Sequence, residues 1–143
     1  MAVVITQLVA EDLKRDEGWV PHAYKCPLGF WTIGYGFLID ERRGGQLPKH
    51  IAVAWLQWEI ERRWEQLTRE APWLEDQPED VQRALANMAY QLGVSGVLRF
   101  RKMLGALRDG DREKAADEAL NSLWAAQTPA RAERVAELIR GRA

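Results

Sequence analysis

The stretch DEGWVPHAYKCPLGFWTIGYG, residues 16–36, holds an acid (Glu17), the only cysteine of the chain (Cys26) and a hydroxyl (Thr32). Eight residues separate the first pair and five the second, in a setting of four glycines and several aromatic side chains. A carboxyl group held near apolar surface keeps its proton to higher pH and can serve as a general acid. A thiolate is a base and a nucleophile, and a hydroxyl can orient a water molecule. Taken one at a time, each residue also has a plainer reading. Asp16-Glu17 can be a surface carboxylate pair at a frayed helix end. Thr32 can be a β-branched residue chosen for its strand preference. Cys26 can be a small buried hydrophobe, and a thiol with a pKa of about 8.5 is only a few per cent ionised at neutral pH.

Other chemistries find less support. His22 and His50 are far apart and, with one cysteine, form no zinc-ligand spacing. There is no Gly-x-Ser-x-Gly elbow and no Walker-type phosphate loop. The tripeptide Gly34-Tyr35-Gly36 by itself signals only a turn. No basic helix stands out as a reader of nucleic acid grooves.

The elements that must position these residues can be read from periodicity. Ile5, Leu8, Val9 and Leu13 recur at helical spacing, which predicts a helix over 3–17 with Gly18 just past its end. This would set Glu17 at the negative end of the helix dipole, where a carboxylate is disfavoured and its pKa raised. Short β-prone runs punctuated by Pro and Gly predict a small antiparallel sheet over about 23–40. Alternation along a strand puts Phe30, Thr32 and Gly34 on one face, with Trp31 and Ile33 on the other. ERRGGQLP reads as a loop. A long helix follows from Pro48 to about Arg69 and is broken by APWLEDQPED.

The remainder is helical: an apolar central helix over 81–94, a helix through Phe100–Leu107 ended by Asp109-Gly110, one capped by Asp111 and running to about Trp124, and a last one opened by Thr128-Pro129 and reaching about Arg140. The fold class is therefore α+β. One domain over 1–143 is expected, with a small β-containing lobe (about 18–55), a helical lobe (1–17 and about 70–143), a linking helix (about 48–69) and a cleft between the lobes.

The bulk properties agree with a soluble chain. Of 143 residues, 47% are apolar and 29% charged, with a net charge of −1, so no global pull toward polyanions arises. Residues 1–98 carry ten basic and fourteen acidic side chains, and residues 99–143 carry ten and seven. An anionic polymer would meet the C-terminal part more comfortably, although a solvated helical surface of mixed charge gives the same tally. A single cysteine excludes an internal disulfide and fits a reducing compartment. The N-terminus lacks a basic leader and its apolar run is short, so neither a signal peptide nor a membrane span is expected, and accumulation in the cytoplasm is.

Glutamate, eight residues, Asp or Cys, five residues, threonine is the signature of the phage-type lysozymes, the endolysins of glycoside hydrolase family 24. Glu17, Cys26 and Thr32, set in DEG, AYKC and GFWTIGYG, resemble that family's active-site hairpin. NMAYQLGVSGVLRF (87–100) resembles its central-helix segment, and SLWAAQTPARAERV (122–135) its C-terminal W-x-x-Q-T-P-x-R segment. The resemblance covers nearly the whole chain and implies a lysozyme-like fold and a muramidase, which hydrolyses the β-1,4 bond between N-acetylmuramic acid and N-acetylglucosamine in peptidoglycan and lyses the host cell.

By that resemblance Glu17 is the general acid, Cys26 stands where the commoner residue is Asp, and Thr32 helps hold the water. Arg131 matches an arginine beside the glutamate, a pairing that would lower the Glu17 pKa. Gln91 matches a glutamine lining the family's cleft; it can equally be a polar cap of the central helix. Tyr24, Trp31 and Tyr35, with Trp19, are candidates for stacking on sugars, or are core. Phe37 departs from the His common at that position. No metal or cofactor is implied. The expected partner is the glycan strand, with no nucleic acid, no stable membrane association, release through a holin, a monomeric state and a site of action at the cell wall. A lytic transglycosylase and a non-catalytic peptidoglycan-binding module are the alternatives.

Overall fold

The computed structural model describes residues 3–39 and 46–143. Of the loop expected over 41–48, residues 41–45 lie outside the described residues. The chain divides into two compact units, Met1–Val53 and Ala54–Ala143.

The first unit opens with α1 (Val3–Glu17), whose end is set by Gly18. Gly18 has a φ of 71°, and its N–H donates to Lys14 O at 3.1 Å. This is the left-handed C-terminal stop that the sequence predicts, at a position where a side chain would be strained. Three antiparallel strands follow in the order β1-β2-β3: β1 (Val20–Lys25), β2 (Trp31–Gly34) and β3 (Phe37–Leu38). Tyr24 pairs with Thr32 and Lys25 with Trp31 across β1 and β2, while Thr32 pairs with Leu38 and Ile33 with Phe37 across β2 and β3. The sheet starts at Val20, three residues before the position expected from sequence, because Val20 still finds Gly34. A register irregularity between Val20 and Tyr24 accommodates Pro21 on this edge strand, where the missing N–H costs no central ladder bond.

The second unit is built around helices, and α2 (Lys49–Glu70) leads into it. Pro48 stands one position before α2, its carbonyl accepting from the N–H groups of Ile51 and Ala52. A 3-10 turn, Pro72–Asp76, breaks the chain where Pro72 and Pro78 predict it. Then come α3 (Glu79–Leu98), α4 (Arg101–Arg108), α5 (Arg112–Leu120), α6 (Leu123–Gln127) and α7 (Pro129–Arg140). Asp111 caps α5 by accepting from Lys114 N–H at 3.0 Å.

Two details differ from the sequence reading. The helix expected to reach Trp124 stops at Leu120, because the Ser122 hydroxyl accepts from Ala125 N–H at 3.1 Å and starts α6. Thr128 does not cap α7 with its side chain; its hydroxyl donates back to Trp124 O at 3.0 Å.

The core of this unit lies among α3, α5 and α7. Val81, Ala84, Leu85, Met88 and Ala89 of α3 are fully buried, as are Ala115, Ala116 and Ala119 of α5 and Ala132, Ala136 and Ile139 of α7. The alanines let the helix backbones approach closely, and the larger side chains fill the space between them. Arg112 ties three of these elements together. Its Nε donates to Ile139 O at 2.6 Å, and its Nη2 to Leu138 O at 3.1 Å and to Asp80 Oδ2 at 2.7 Å. Gly141, with a φ of 81°, ends α7 against this guanidinium; a Cβ there would lie 3.0 Å from Nη2.

The hydrogen bond from Arg112 holds the Asp80 carboxyl below the ordinary carboxylate range. Because the folded pKa is depressed, this contribution to stability is fully present above the unfolded value of about 3.9 and is lost as pH falls through the folded value. Arg112→Ala is expected to cost about 2–4 kcal/mol in urea unfolding at neutral pH, since it removes charged hydrogen bonds and strands the Ile139 carbonyl, whereas Leu138 O keeps the Gly141 N–H. Asp80→Asn is expected to flatten the acid limb of a stability-versus-pH series.

Candidate active site

Cys26 follows the last residue of β1, and its backbone creates the loop that holds it. Cys26 N–H donates to Phe30 O at 2.9 Å, and Gly29 N–H donates to Cys26 O at 2.8 Å. Pro27, Leu28 and Gly29 thus form a three-residue hairpin loop. Proline suits the first turn position, and Gly29 takes the left-handed bulge position with a φ of 83°. The loop brings the amides of Phe30, Leu28 and Gly29 and the Thr32 hydroxyl to the Cys26 sulfur. The Phe30 amide has the largest effect, and together they hold the half-buried thiol below its ordinary pKa despite partial desolvation. This is a small nest of donors around an anion-forming atom.

Thr32 lies directly across from Tyr24 on one side and Leu38 on the other. It is only 2% exposed, the one buried polar or charged side chain among the described residues. Residues opposed across antiparallel strands share a face, and the face repeats every second residue. Thr32, Tyr24, Phe30 and Cys26 therefore lie on one face of the hairpin. Trp31 lies on the other, where Lys25 Nζ sits 5.4 Å from its ring centroid. The Thr32 Oγ1 donates to Phe30 O at 3.0 Å. A hydroxyl has one proton to give, so its donation to Phe30 and its donation to a thiolate are alternatives.

Glu17 is the last residue of α1 and is exposed. Its carboxylate rests on the turn between β2 and β3: a Cβ added to Gly36 would lie 2.8 Å from Glu17 Oε2 and 3.2 Å from Cδ. Gly36 therefore does more than turn the chain. Its missing side chain is the space that the carboxylate occupies, and its φ of 75° is itself a glycine conformation. Tyr35, at the tip of this turn, packs at 5.1 Å between ring centroids on Trp19, the second residue after Glu17, and at 6.5 Å edge-on to Phe37. The GYG turn thus carries both the seat of the carboxylate and an aromatic cluster whose Trp19 is 62% exposed.

The two supporting residues proposed from sequence belong to the helical unit. Arg131 on α7 is held by Asn87 of α3, with Nε donating to Asn87 Oδ1 at 2.9 Å and Nη2 to Asn87 O at 3.3 Å. Gln91 accepts from Trp124 Nε1 at 2.9 Å, just before the helix axis breaks at Gly93, where φ is 76° and ψ 165°. The partners Asn87 and Trp124 were missed as site-supporting residues, although both lie inside the two segments quoted for the resemblance. Among the described residues, no group of three His, Cys, Asp or Glu side chains could hold a metal ion, and no helix is long and apolar enough to cross a membrane.

The Gly36 contact yields a comparison. Gly36→Ala and Gly29→Ala both place a side chain at positive φ, at a cost of about 1–2 kcal/mol. Only the first displaces a carboxylate, since nothing lies within 4 Å of a Cβ at Gly29. The Glu17 side-chain carboxyl NMR resonance is expected to shift in Gly36→Ala and to stay in place in Gly29→Ala.

The sequence profile of the phage lysozyme family matches residues 14–143. The chain is 35% identical over 157 aligned positions to the pre-baseplate central spike protein Gp5 of Enterobacteria phage T4, covering 92% of this chain and 27% of that protein. It is 31% identical to the probable T4-type lysozyme 2 of Dictyostelium discoideum, covering 86% of this chain and 88% of that one. It is 29% identical to the peptidoglycan hydrolase gp36 of Pseudomonas phage phiKMV, covering 86% of this chain and 14% of that protein. The chain thus spans about a quarter of the spike protein's length and nearly all of the Dictyostelium lysozyme's. The α+β architecture, with its helix, three-stranded antiparallel sheet and helical unit, is that expected of a lysozyme-like fold, and the match extends over both units. The chain belongs to the phage lysozyme family.

Proposed function

We propose that the chain is a muramidase that cleaves the β-1,4 bond between N-acetylmuramic acid and N-acetylglucosamine, and that it serves host lysis. The observation that carries this reading is the donor nest around Cys26. An aspartate at this position would be an anion at neutral pH, and a thiol replaces it only if its surroundings favour the thiolate. The amides of Phe30, Leu28 and Gly29 and the Thr32 hydroxyl do so.

In this reading Glu17 gives its proton to the glycosidic oxygen as the bond to the anomeric carbon breaks. The developing oxocarbenium charge is stabilised by the Cys26 thiolate. A water oriented by Thr32 adds to the anomeric carbon and gives its proton to that thiolate, so the leaving hydroxyl and the new hydroxyl account for one water consumed. Addition from the face opposite the departing oxygen gives inversion. Tyr24, on the face of Cys26 and Thr32, and Tyr35 and Trp31 are proposed to contact sugars, with Arg131 and Gln91 as supporting residues of the helical unit. Release into the wall compartment through a holin, with the cytoplasm as the place of accumulation, remains part of the proposal, as does a monomeric state.

Two measurements test the reading. On purified peptidoglycan, Glu17→Gln is expected to lower the hydrolysis rate roughly 100- to 10,000-fold, the usual worth of a general acid, with unchanged thermal unfolding. Cys26→Asp is expected to retain activity and Cys26→Ser to lose most of it, because a serine hydroxyl does not ionise at neutral pH; normal clearing by Cys26→Ala would reduce the cysteine to packing. The first sugar released is expected as the α-anomer by NMR. A β-anomer would mean direct attack by sulfur, and anhydromuramyl ends in place of reducing ends would mean transglycosylation.

A further inference from the structure

The segment RFRKMLGALR, residues 99–108, carries four cations and no carboxylate in a chain whose net charge is −1. Arg99, Arg101 and Lys102 fall within four residues at the start of α4, and all three are exposed. Among the described residues none of the three is in an ion pair, whereas Arg63, Arg112 and Arg140 of the same unit each hold a carboxylate. The arrangement also runs against the helix dipole. The first turn of α4 has no acidic residue, and its N-cap, Phe100, supplies no side-chain cap, so two cations stand where an anion is favoured. An open groove of about 380 Å³ lies beside them, floored by Asn121 and Ser122 and bearing one carboxylate, Glu118, against the three cations.

The apolar side chains of the segment are already used. Met103 is 1% exposed, Leu107 is 2% exposed, and Phe100 packs edge-on to Trp124 at 6.0 Å between centroids. Nothing apolar is left over to enter a bilayer, so the surface offers charge and hydrogen-bond donors alone. Arginine forks match oxyanions bidentately. Three cations so close together fit a polymer with one anion in every repeat better than a peptide of sparse, mixed charge.

We infer that Arg99, Arg101 and Lys102 form a wall-anchoring surface for a linear phosphodiester polymer of the cell envelope, separate from the residues proposed to cut the glycan. The surface keeps the chain on the wall between cleavages. This rests on the cell-wall reading above, and binding is measured apart from cleavage so that either can fail alone.

The test is cosedimentation of the Glu17→Gln chain with Gram-positive cell walls that retain their glycerol-phosphate polymer and with the same walls stripped of it by hydrofluoric acid. Retention is expected to be at least tenfold greater on intact walls. In Arg99→Gln/Arg101→Gln/Lys102→Gln on the same background the two wall types are expected to retain equal amounts. The single change Lys102→Glu is expected to lower the preference without altering thermal unfolding. The slope of log affinity for the purified polymer against log salt is expected to flatten by about two to three in the triple variant, near one unit per lost phosphate contact. Equal retention on intact and stripped walls by the unmodified surface, or a preference undiminished in the triple variant, overturns the proposal. So does tighter binding to phosphatidylglycerol vesicles or duplex DNA than to the glycerol-phosphate polymer.

Discussion

The chemistry proposed for this chain depends on a thiol being made to behave as an acid. Cys26 is poorly suited by itself to the role proposed for it, because an unperturbed thiol is overwhelmingly protonated at neutral pH. The loop Pro27-Leu28-Gly29 changes that. By closing Cys26 N–H on Phe30 O and Gly29 N–H on Cys26 O, it turns successive amides toward the sulfur, and the strand register supplies the Thr32 hydroxyl. The donors that lower the thiol's pKa are mainly backbone amides. Thr32 is buried, and its hydroxyl donates to the Phe30 carbonyl.

A second constraint seats the Glu17 carboxylate. The end of α1 and the Gly34-Tyr35-Gly36 turn are built against each other, with Gly18 stopping the helix and Gly36 leaving room for the Glu17 carboxylate. The aromatic contacts of Tyr35 with Trp19 and Phe37 hold the turn in place. Helix stop, carboxylate seat and aromatic packing thus occupy one short stretch, and the same glycines serve both folding and chemistry. In the helical unit the comparable economy is Arg112, whose guanidinium closes the C-terminal carbonyls of α7 and pairs with Asp80 at the start of α3.

Much of this was legible in the letters of the sequence. Gly18 as a helix stop, Asp111 as a cap, Pro129 opening α7 and the alternation about Thr32 are local signals, and each is where its physics requires. The early start of β1 was hidden because Pro21 argues against a strand, yet an edge strand tolerates it. The break after Leu120 was hidden because the alanines of α5 continue the apolar pattern toward Trp124, and a single serine hydroxyl decides the boundary. The site divides in the same way. Glu17, Cys26 and Thr32 were proposed by type and spacing. The amides around the sulfur could not be, since backbone donors carry no letter of their own. Gly36 was read as a turn because nothing in sequence says which side chain fills the space beside a glycine.

The central claim is that the hairpin backbone and Thr32 hold the Cys26 thiol below its ordinary pKa. The direct measurement is a thiolate absorbance titration of the folded chain near 240 nm, in the native sequence and in Thr32→Val, with Cys26→Ala as the blank. The account predicts a midpoint in the native chain clearly below that of the urea-unfolded chain, and a midpoint in Thr32→Val that moves back up toward it. Coincident midpoints in the folded and unfolded chains, or a native midpoint above the unfolded one, would contradict it.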